Sequence, residues 1–539
     1  MNRDATFWRK VTYILIMAVL LIPLYWISRP YVPASDDRPL DSGGLLAQMR
    51  TRQQLTQAEL GDIDPASESL KLALLGLRGV AVNVLWNRSH YYKKTEDWTN
   101  MMATLEQIAK LQPHFVSVWQ YQSWNVSYNV SVEFDNYRHR YYWVKRGVNY
   151  LIKGSEYNYR ESRLLWDLGW FFGHKFGKSD ERVQNRRMFR EDHDFHDQLR
   201  PHVFIDDALG PDLKPDCWLV ARLWYLKAQR VLDRQMGSPR GNSLSELYGV
   251  DSKRRHKNPV VFHSYPAMSL MSYAEAIQRE GWLDDSARRA WERSERAWDE
   301  FGNREIVSHS GYRTRLNDLE PALQEERILK TQLEELTIGI GERLTAEKQK
   351  LLADEEQKAL DLPQEQRSQE QIELARQANE KLKFDIEELA EEAPDESRAQ
   401  AKKLVAAIRN LQRKIAIVQS FRTTVNFDYW KTRCIVEQRE DAALARQYLH
   451  EANKFPDTTL KVAKENYEKA FRLWAQIMKD FPSLELETEA EELRDAVLRY
   501  ESVLDQHDLP IPRDFPLLDL MKIYLPDWNP WIEDEDNGN

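Results

Sequence analysis

Apolar and aromatic residues recur at helical spacing through most of this chain, and no other feature of the sequence restricts its fold as strongly. Between Ser69 and about Gly302 they form segments of about 12 to 20 residues, separated by short breaks of Gly, Pro, Asn or Asp. Only 20 Gly and 22 Pro interrupt the 539 residues, whereas residues that favour helices fill long stretches. The sequence therefore predicts an all-α protein with almost no strand.

An apolar segment near the N-terminus indicates a membrane helix. Residues 11–27, VTYILIMAVLLIPLYWI, carry no charge and would span about 26 Å as a helix, slightly less than a hydrocarbon layer of about 30 Å. Trp8 and Trp26 can occupy the two interfaces. The competing interpretation is a cleaved signal peptide, because 32–34 (Val-Pro-Ala) resembles a cleavage site. The length of the apolar run favours an anchor that stays attached.

The charges beside this segment predict its orientation in the membrane. Arg3, Arg9 and Lys10 precede the run, whereas Arg29 and Arg38 follow it. Because positive charge favours the cytoplasmic side, we expect a cytoplasmic N-terminus. The chain would then be a single-pass protein of the cell membrane, with its body on the non-cytoplasmic side.

Within the helical segments, large and small residues recur at intervals typical of a 34-residue helical hairpin. With Pro113 taken as the residue that closes one hairpin, Leu165, Leu168, Gly169 and Phe172 reproduce the pattern W-x2-L-G-x2-Y, with Leu for Trp and Phe for Tyr. The matching positions are Tyr92, Leu105, Pro113, Trp119, Leu165, Leu168, Gly169, Phe172, Ala287, Trp291, Ala470, Trp474 and Pro482.

These matches make the chain resemble the tetratricopeptide-repeat (TPR) superfamily, with irregular intervals between repeats. The resemblance implies a divergent TPR-like α-solenoid whose stacked hairpins hold a protein partner. The runs LLGLRGVAVNVLWNRS (74–89), LQPHFVSVWQYQSWNVSYN (111–129) and FDYWKTRC (427–434) are also similar to a family of uncharacterised bacterial membrane-anchored helical proteins. Some members are labelled "iron responsive element", but nothing in these residues supports that label, and the resemblance implies no activity.

An acidic block interrupts the aromatic helices. Residues 318–400 contain 23 acidic and 11 basic side chains, a balance of −12, so the remainder of a chain with net charge −10 carries about +2. Four apolar residues there keep coiled-coil spacing for about two heptads, and two prolines then break the run: Leu329, Leu333, Leu336 and Ile340, then Pro363 and Pro394. We expect an inserted long helical hairpin or short coiled coil, which is either a solvated insertion or a partner-binding arm.

Together these features predict six segments. They are the cytoplasmic N-terminus with the transmembrane helix (1–28), a tether (29–65), TPR-like repeats (66–317), the acidic arm (318–420), C-terminal TPR-like helices (421–510), and an extended tail with an acidic end (511–539).

A cluster of histidines and aspartates is the best candidate for a metal site. Four of the twelve histidines lie between residues 174 and 202, and the candidate ligands are Asp192, His193, His196 and His202, with His174, Asp194 and Asp197 nearby. Nitrogen and carboxylate ligands suit zinc or iron. However, Arg186, Arg187, Arg190 and Arg200 interleave with them, as in a polar loop. We therefore expect no metal and no cofactor.

A glycan-processing enzyme is the alternative of a different class. Carboxylates and tryptophans alternate in one part of the chain: Glu133, Asp135, Glu161 and Asp167 among Trp119, Trp124, Trp143, Trp166 and Trp170. Catalysis would need two carboxylates that face each other across a sugar. Trp at helical spacing is more often core, so we expect no enzyme.

The sequence thus favours a membrane-anchored scaffold that mediates protein–protein interaction. The partner is an unidentified protein, and the sequence leaves self-association open. The one block with a marked charge is acidic, which excludes the basic surface of a nucleic-acid-binding protein. The two cysteines, Cys217 and Cys434, are too few for a disulfide framework or a four-cysteine zinc site.

Overall fold

The computed structural model describes residues 78–236, 258–307, 312–454, 459–484, 488–506, 508–528 and 530–531, with a few single residues between 12 and 48. The chain divides into two compact units, Met1–Asn242 and Ser243–Asn539. Helices make up nearly all regular structure in the described residues. The prediction of an all-α protein with almost no strand is therefore confirmed.

The first unit contains eight α-helices within 78–236, two of which continue as single π-helical turns. In chain order the elements are α1 (Arg78–Lys94), α2 (Trp98–Leu111), α3 (Val116–Trp124) with the turn π1 (Asn125–Val130), α4 (Tyr137–Tyr157), α5 (Ser162–Phe171) with the turn π2 (Phe172–Lys178), α6 (Arg182–Glu191), α7 (His193–Leu199), a 3-10 turn (Ile205–Ala208) and α8 (Cys217–Met236).

These helices pack in pairs, α1 with α2, α3 with α4, and α5 with α8. A short polar turn precedes the second helix of the first two pairs. The side chain of Asp97 caps α2 by accepting a hydrogen bond from Asn100 N (3.1 Å), and that of Asn136 caps α4 by accepting one from Arg138 N (2.8 Å). We call α1, α3 and α5 the first helices. They lie side by side, with α3 against α5 and Trp86 of α1 near Tyr121 of α3.

Two glycines allow the pairs to approach closely. A Cβ at Gly154 of α4 would lie 2.6 Å from the ring of Trp119, and one at Gly169 of α5 would lie 2.7 Å from the ring of Tyr225 in α8. Both distances are shorter than any Cβ contact that packing tolerates. The glycine that the repeat pattern selects at 169 therefore lies at a helix crossing.

The second unit contains thirteen α-helices and one small β-ladder within its described residues. The elements are α9 (Pro259–Arg279), α10 (Asp285–Gly302), β1 (Ile306–Val307), β2 (Arg313–Thr314), α11 (Leu319–Leu336), α12 (Ile340–Gln349), α13 (Asp354–Asp361), α14 (Gln369–Leu382), α15 (Ile386–Glu391), α16 (Asp395–Thr424), α17 (Phe427–Val436), α18 (Glu440–Ala452), α19 (Leu460–Asp480), α20 (Thr488–Asp505) and α21 (Leu518–Tyr524). Turns of 3-10 helix cover Leu316–Asp318, Gln364–Gln366 and Pro482–Leu484. The strands pair antiparallel, with Ile306 opposite Thr314.

In this unit α9 pairs with α10 and α18 with α19, and a buried ion network connects α9, the end of α17, α18 and α20. Arg433 pairs with Glu275, and Arg446 pairs with both Glu437 and Glu492. Arg433 and Glu437 are almost fully buried. Loss of one partner would leave a charge without compensation in the interior, so the network fixes how α9, α17, α18 and α20 pack.

The acidic segment forms a helical hairpin in which α11 and α16 pack along each other. Its base and its far end have separate apolar clusters. The four residues with coiled-coil spacing do not lie on one helix. Helix α11 ends at Leu336, and Gly339 adopts a φ of 75° before Ile340 begins α12. Glycine adopts this left-handed conformation at little cost, so the chain turns there.

Two local predictions were wrong. Residues 518–524 form α21 and not the extended chain expected for 511–539, because Leu520 and Met521 become buried against the C-terminal core. The polar loop expected around Arg186, Arg187, Arg190 and Arg200 instead contains helices α6 and α7. Helix α7 forms because the side chain of Asp192 caps it and Phe195 and Leu199 are buried.

The predicted membrane anchor lies almost wholly outside the described residues, as do most of the tether and the acidic end. Among the helices that the structure describes, none is both long enough and apolar enough to cross a bilayer.

Candidate binding surface

The first helices of the first unit expose aromatic side chains on one surface. Six rings, which we call the aromatic row, come from α1, from α3 with π1, and from α5 with π2: Trp86, Tyr121, Trp124, Tyr128, Trp170 and His174. Tyr121 and Trp124 are exposed, and the other four are half-buried. No charged residue occurs between Lys110 and Glu133, so the middle of this surface is aromatic and polar but uncharged.

Four rings of the row, from Trp124 to His174, contact one another in succession. Trp124 stacks on Tyr128 with 5.8 Å between centroids and 16° between planes. Tyr128 stacks on Trp170 at 5.5 Å and 25°, and Trp170 stacks on His174 at 4.5 Å and 16°. Such pairs hold each ring in a defined orientation, so the row is preorganised and its rings need little ordering when a ligand binds.

The two π-helical turns position the end of the row. A π-turn is rare and usually a single insertion within an α-helix, often at a functional site. Here π1 carries Tyr128 and π2 carries His174, and the two turns lie on adjacent first helices. In π2, Gly173 and Gly177 face Trp218 of α8, where a Cβ would lie within 2.6 Å of the indole ring. The tight contact with Trp218 explains why both positions are glycine.

Polar side chains along the row bind one another. Lys93 Nζ donates to Asn125 Oδ1 (2.9 Å), and Asn129 Nδ2 donates to the same oxygen (2.8 Å). At the α3/α5 contact, Gln120 Nε2 donates to Asp167 Oδ2 (2.5 Å). The bond from Lys93 links α1 to π1, and the bond from Gln120 links α3 to α5.

Tyr128 and His174 form the polar contact at the end of the row. Tyr128 Oη and His174 Nδ1 lie 2.9 Å apart. Burial lowers the pKa of His174, and the charges of Lys178 and Lys175 lower it further. Burial raises the pKa of Tyr128. Both groups are therefore neutral at pH 7.

Lys175, the next residue in π2, is buried although it carries a charge. Its side chain is 7% exposed, and Nζ lies 4.2 Å from the ring centroid of Tyr128. Burial lowers the pKa of Lys175. The nearby carboxylate of Glu181 pairs instead with Arg140.

Two of the carboxylates considered for glycan processing bind other side chains. Asp167 binds Gln120, and Glu161 makes an ion pair with Arg163 at 2.7 Å. Glu133 is exposed near the end of π1.

The tryptophans of that same hypothesis divide into two groups. Trp119, Trp143 and Trp166 are buried in the helix pairs. Trp124 and Trp170 belong to the aromatic row. Only the second group is available to a ligand.

The candidate metal ligands are engaged separately. Asp192 accepts hydrogen bonds from Tyr141 (3.0 Å) and Lys145 (2.8 Å), and although burial alone would raise the pKa of Asp192, these bonds lower it. His196 is buried against Phe189, with 5.1 Å between ring centroids.

The other two candidates also lie apart. The rings of His193 and His196 are 6.0 Å apart, and His202 Nε2 lies 3.6 Å from Glu156. Within the described residues, no group of three or more His, Cys, Asp or Glu side chains is placed to hold a metal ion.

The residues selected by the repeat pattern lie mostly in the two interiors. Those that are buried are Leu105, Pro113, Trp119, Leu165, Leu168, Gly169, Phe172, Ala287, Trp291, Ala470 and Trp474. Tyr92 is half-buried and Pro482 is exposed. Pro113 also accepts hydrogen bonds at its carbonyl oxygen from Trp119 Nε1 and Asn158 Nδ2, both at 2.8 Å.

Sequence reasoning did not select Tyr128 or Lys175. The available signals were the charge-free stretch 111–132 and the run Gly-His-Lys-Phe-Gly at 173–177, but neither shows which helices meet. A search of known protein families, curated proteins and solved structures finds no match for this chain.

Proposed function

We propose that the protein is a membrane-anchored scaffold with a TPR-like solenoid, and that its aromatic row binds an extended segment of a protein partner. The observation that carries this proposal is the preorganised row on the first helices. Stacked helical hairpins present such a surface to another chain. Aromatic side chains contribute large contact areas at low entropic cost and are enriched where partners bind.

The proposal includes the membrane anchor at 11–27 and the orientation that places the body on the non-cytoplasmic side. Its support is the uncharged run in the sequence. The tether at 29–65, rich in Pro, Asp, Ser and Gly, would let the body reach partners near the membrane surface.

Binding fits the surface better than catalysis does. The polar groups beside the rings hydrogen-bond to one another, and the nearby carboxylates bind Gln120 and Arg163. A catalytic site would need at least one acid or base directed at a substrate. Glycan processing is therefore the weaker alternative.

Site-specific photo-crosslinking from two tyrosines tests the location of binding. Tyr121, in the row, is 45% exposed, and Tyr159, in the turn between α4 and α5, is 44% exposed. Each is replaced in turn by a photoreactive phenylalanine derivative in the full-length chain, which is illuminated in its native membrane. We expect a discrete protein adduct from position 121 and none from 159.

Substitution of one ring provides the second part of the test. Trp124→Ala in the position-121 chain removes a ring of the row without cutting into a buried core, so the fold should remain and the adduct should weaken strongly. Equal adducts from positions 121 and 159, or an adduct that Trp124→Ala leaves unchanged, would contradict the proposal. A purified chain that hydrolyses a glycan would replace it with the enzyme alternative.

A further inference from the structure

Lys175 lacks the partner that a buried ammonium group normally has. Among the described residues its Nζ has neither an ion pair nor a hydrogen-bond acceptor, and its one polar contact is the face of the Tyr128 ring at 4.2 Å. A buried charge is usually paired, because desolvation disfavours it strongly. Lys175 is therefore an ammonium group at the edge of the interior that no carboxylate of the described chain contacts.

Lys145, in the same unit, is a lysine whose ammonium group pairs with a carboxylate of the chain itself. Its Nζ donates to Asp192 at 2.8 Å and also lies 5.6 Å from the ring centroid of Phe195. The two lysines share a contact with an aromatic ring, but only Lys145 has a carboxylate. The difference points to a ligand that supplies the missing anion at Lys175.

We propose that Lys175 binds an acidic side chain of the partner segment, while neighbouring apolar or aromatic side chains of that segment stack on Trp124 and Trp170. This inference rests on the proposed function and names the class of partner: a peptide with Asp or Glu beside apolar residues. Lys175 contacts Tyr128, and Tyr128 stacks on both tryptophans, so one short peptide can reach all three sites.

The surrounding charges favour an anion at this place. Lys178 is exposed in the same π-turn, and Lys93 lies at the Asn125 end of π1. Glu181 is neutralised by Arg140. In residues 78–236 there are 24 Lys and Arg against 19 Asp and Glu, a balance of +5. An acidic segment is therefore attracted to the first unit as a whole.

Replacement of each lysine by an apolar residue of similar length separates a ligand-binding lysine from a structural one. Lys175→Met removes an ammonium group that has no carboxylate partner, so we expect the thermal unfolding midpoint of the detergent-solubilised full-length chain to stay constant or rise. Lys145→Met leaves Asp192 without its cation, so we expect the midpoint to fall. A fall for Lys175→Met as large as that for Lys145→Met would overturn the proposal.

Peptide selection then tests the chemistry of the ligand. The probe is a library of random peptides fused at their C-termini to a phage coat protein, so that every carboxylate comes from a side chain. We expect the wild-type chain to enrich peptides that carry Asp or Glu beside aromatic or aliphatic residues. Lys175→Met should enrich the apolar residues alone, and a selected acidic peptide should bind this variant about tenfold more weakly or worse.

The outcomes distinguish this inference from the function on which it rests. Enrichment of apolar peptides without an acidic residue by the wild-type chain would overturn the role of Lys175 and leave peptide binding in place. Enrichment of acidic residues by Lys175→Met as strongly as by the wild type would overturn it as well. If the wild-type chain enriches no peptide, and Trp124→Ala behaves identically, the proposed function itself fails.

Discussion

The indole of Trp170 lies parallel to the imidazole of His174, with 4.5 Å between ring centroids and 16° between the planes. The residues are four apart in the sequence, so a helix places both on the same face, and His174 lies in the π-turn that begins at Phe172. Because His174 also contacts Tyr128, its protonation state affects both the stack and the contact between the first helices.

The first prediction concerns this histidine and pH. The pKa of His174 in the folded chain lies below its ordinary value of 6.5, chiefly because of burial. The unfolded chain therefore binds more protons as pH falls, and stability that is fully present above pH 6.5 is lost progressively below it. We expect the unfolding midpoint to fall between pH 7.5 and pH 5, and to fall less steeply in His174→Gln.

The remaining histidines are common to both chains, so the difference between the two slopes isolates His174. Slopes that coincide over this range would show that His174 titrates equally in the folded and unfolded states, against the direction given by its surroundings.

The second prediction concerns the crossing of α5 and α8. A Cβ at Gly169 would lie 2.7 Å from the Tyr225 ring and 2.9 Å from the carbonyl oxygen of Ala221. Because backbone cannot move aside cheaply, Gly169→Ala should lower the free energy of unfolding by about 1–3 kcal/mol, and Gly169→Leu should lower it more. Chemical denaturation of the full-length chain measures both.

Gly79 of α1 is the control, because a Cβ there would meet nothing within 4 Å among the described residues. Gly79→Ala should stabilise the chain by up to about 0.5–1 kcal/mol, since alanine favours a helix over glycine. Equal effects at the two positions would rule out a crossing at Gly169.

The third prediction concerns the core of the second unit. Trp474 is fully buried, and the guanidinium of Arg446 lies 5.0 Å from the ring centroid. Trp474→Ala should cost about 3–5 kcal/mol, because it leaves a cavity, and it also removes the cation–π contact. Chemical denaturation again provides the measurement.

Trp474→Phe serves as the control for cavity size. The indole Nε1 has no hydrogen-bond partner in the part of the chain that the structure describes, so phenylalanine loses ring volume but no hydrogen bond. Its cost should be clearly smaller than that of alanine. If both substitutions leave stability unchanged, Trp474 is not a packing residue.

The fourth prediction concerns the acidic arm, where the position of a deletion should decide its effect. The base of the arm is a cluster of Leu319, Ala322, Ile415 and Val418, and the far end forms a separate cluster. Replacement of 330–408 by a short glycine linker keeps the base. We expect helical content to fall while the unfolding midpoint of the remaining chain stays constant.

Deletion of 318–400 is the contrasting variant. It removes Leu319 and Ala322 and leaves their contacts Ile415 and Val418 exposed, so we expect a lower midpoint and aggregation. Circular dichroism during a thermal scan compares the two deletions. If both deletions lower the unfolding midpoint by a similar amount, the arm and the adjoining helices fold as one unit.

The sequence by itself determined the secondary-structure class and much of the interior. Helical spacing predicts the all-α fold, since each segment must bury one apolar face. The repeat pattern selected Trp119, Leu168, Gly169 and Trp474, all of which are buried. The pattern can do so because close packing between neighbouring helices restricts the size of the side chain at regularly spaced positions in the sequence.

Other local features could not be derived from spacing alone. Leu333, Leu336 and Ile340 keep a coiled-coil rhythm, but the chain turns at Gly339, since a left-handed glycine breaks a helix that the apolar pattern would continue. Residues 518–524 form a helix because they pack on the C-terminal core. The helix propensity of these seven residues alone is too weak to predict a helix there.

Only the tertiary structure decided which residues form the candidate surface. Tyr128 and His174 are 46 residues apart, and Lys175 reaches the Tyr128 ring only because two first helices lie side by side with π-turns at matching heights. Local spacing records which face of a helix is buried. The contacts between exposed faces depend instead on how helices α3 and α5 are placed by α4 and α8, which is a property of the whole packed unit.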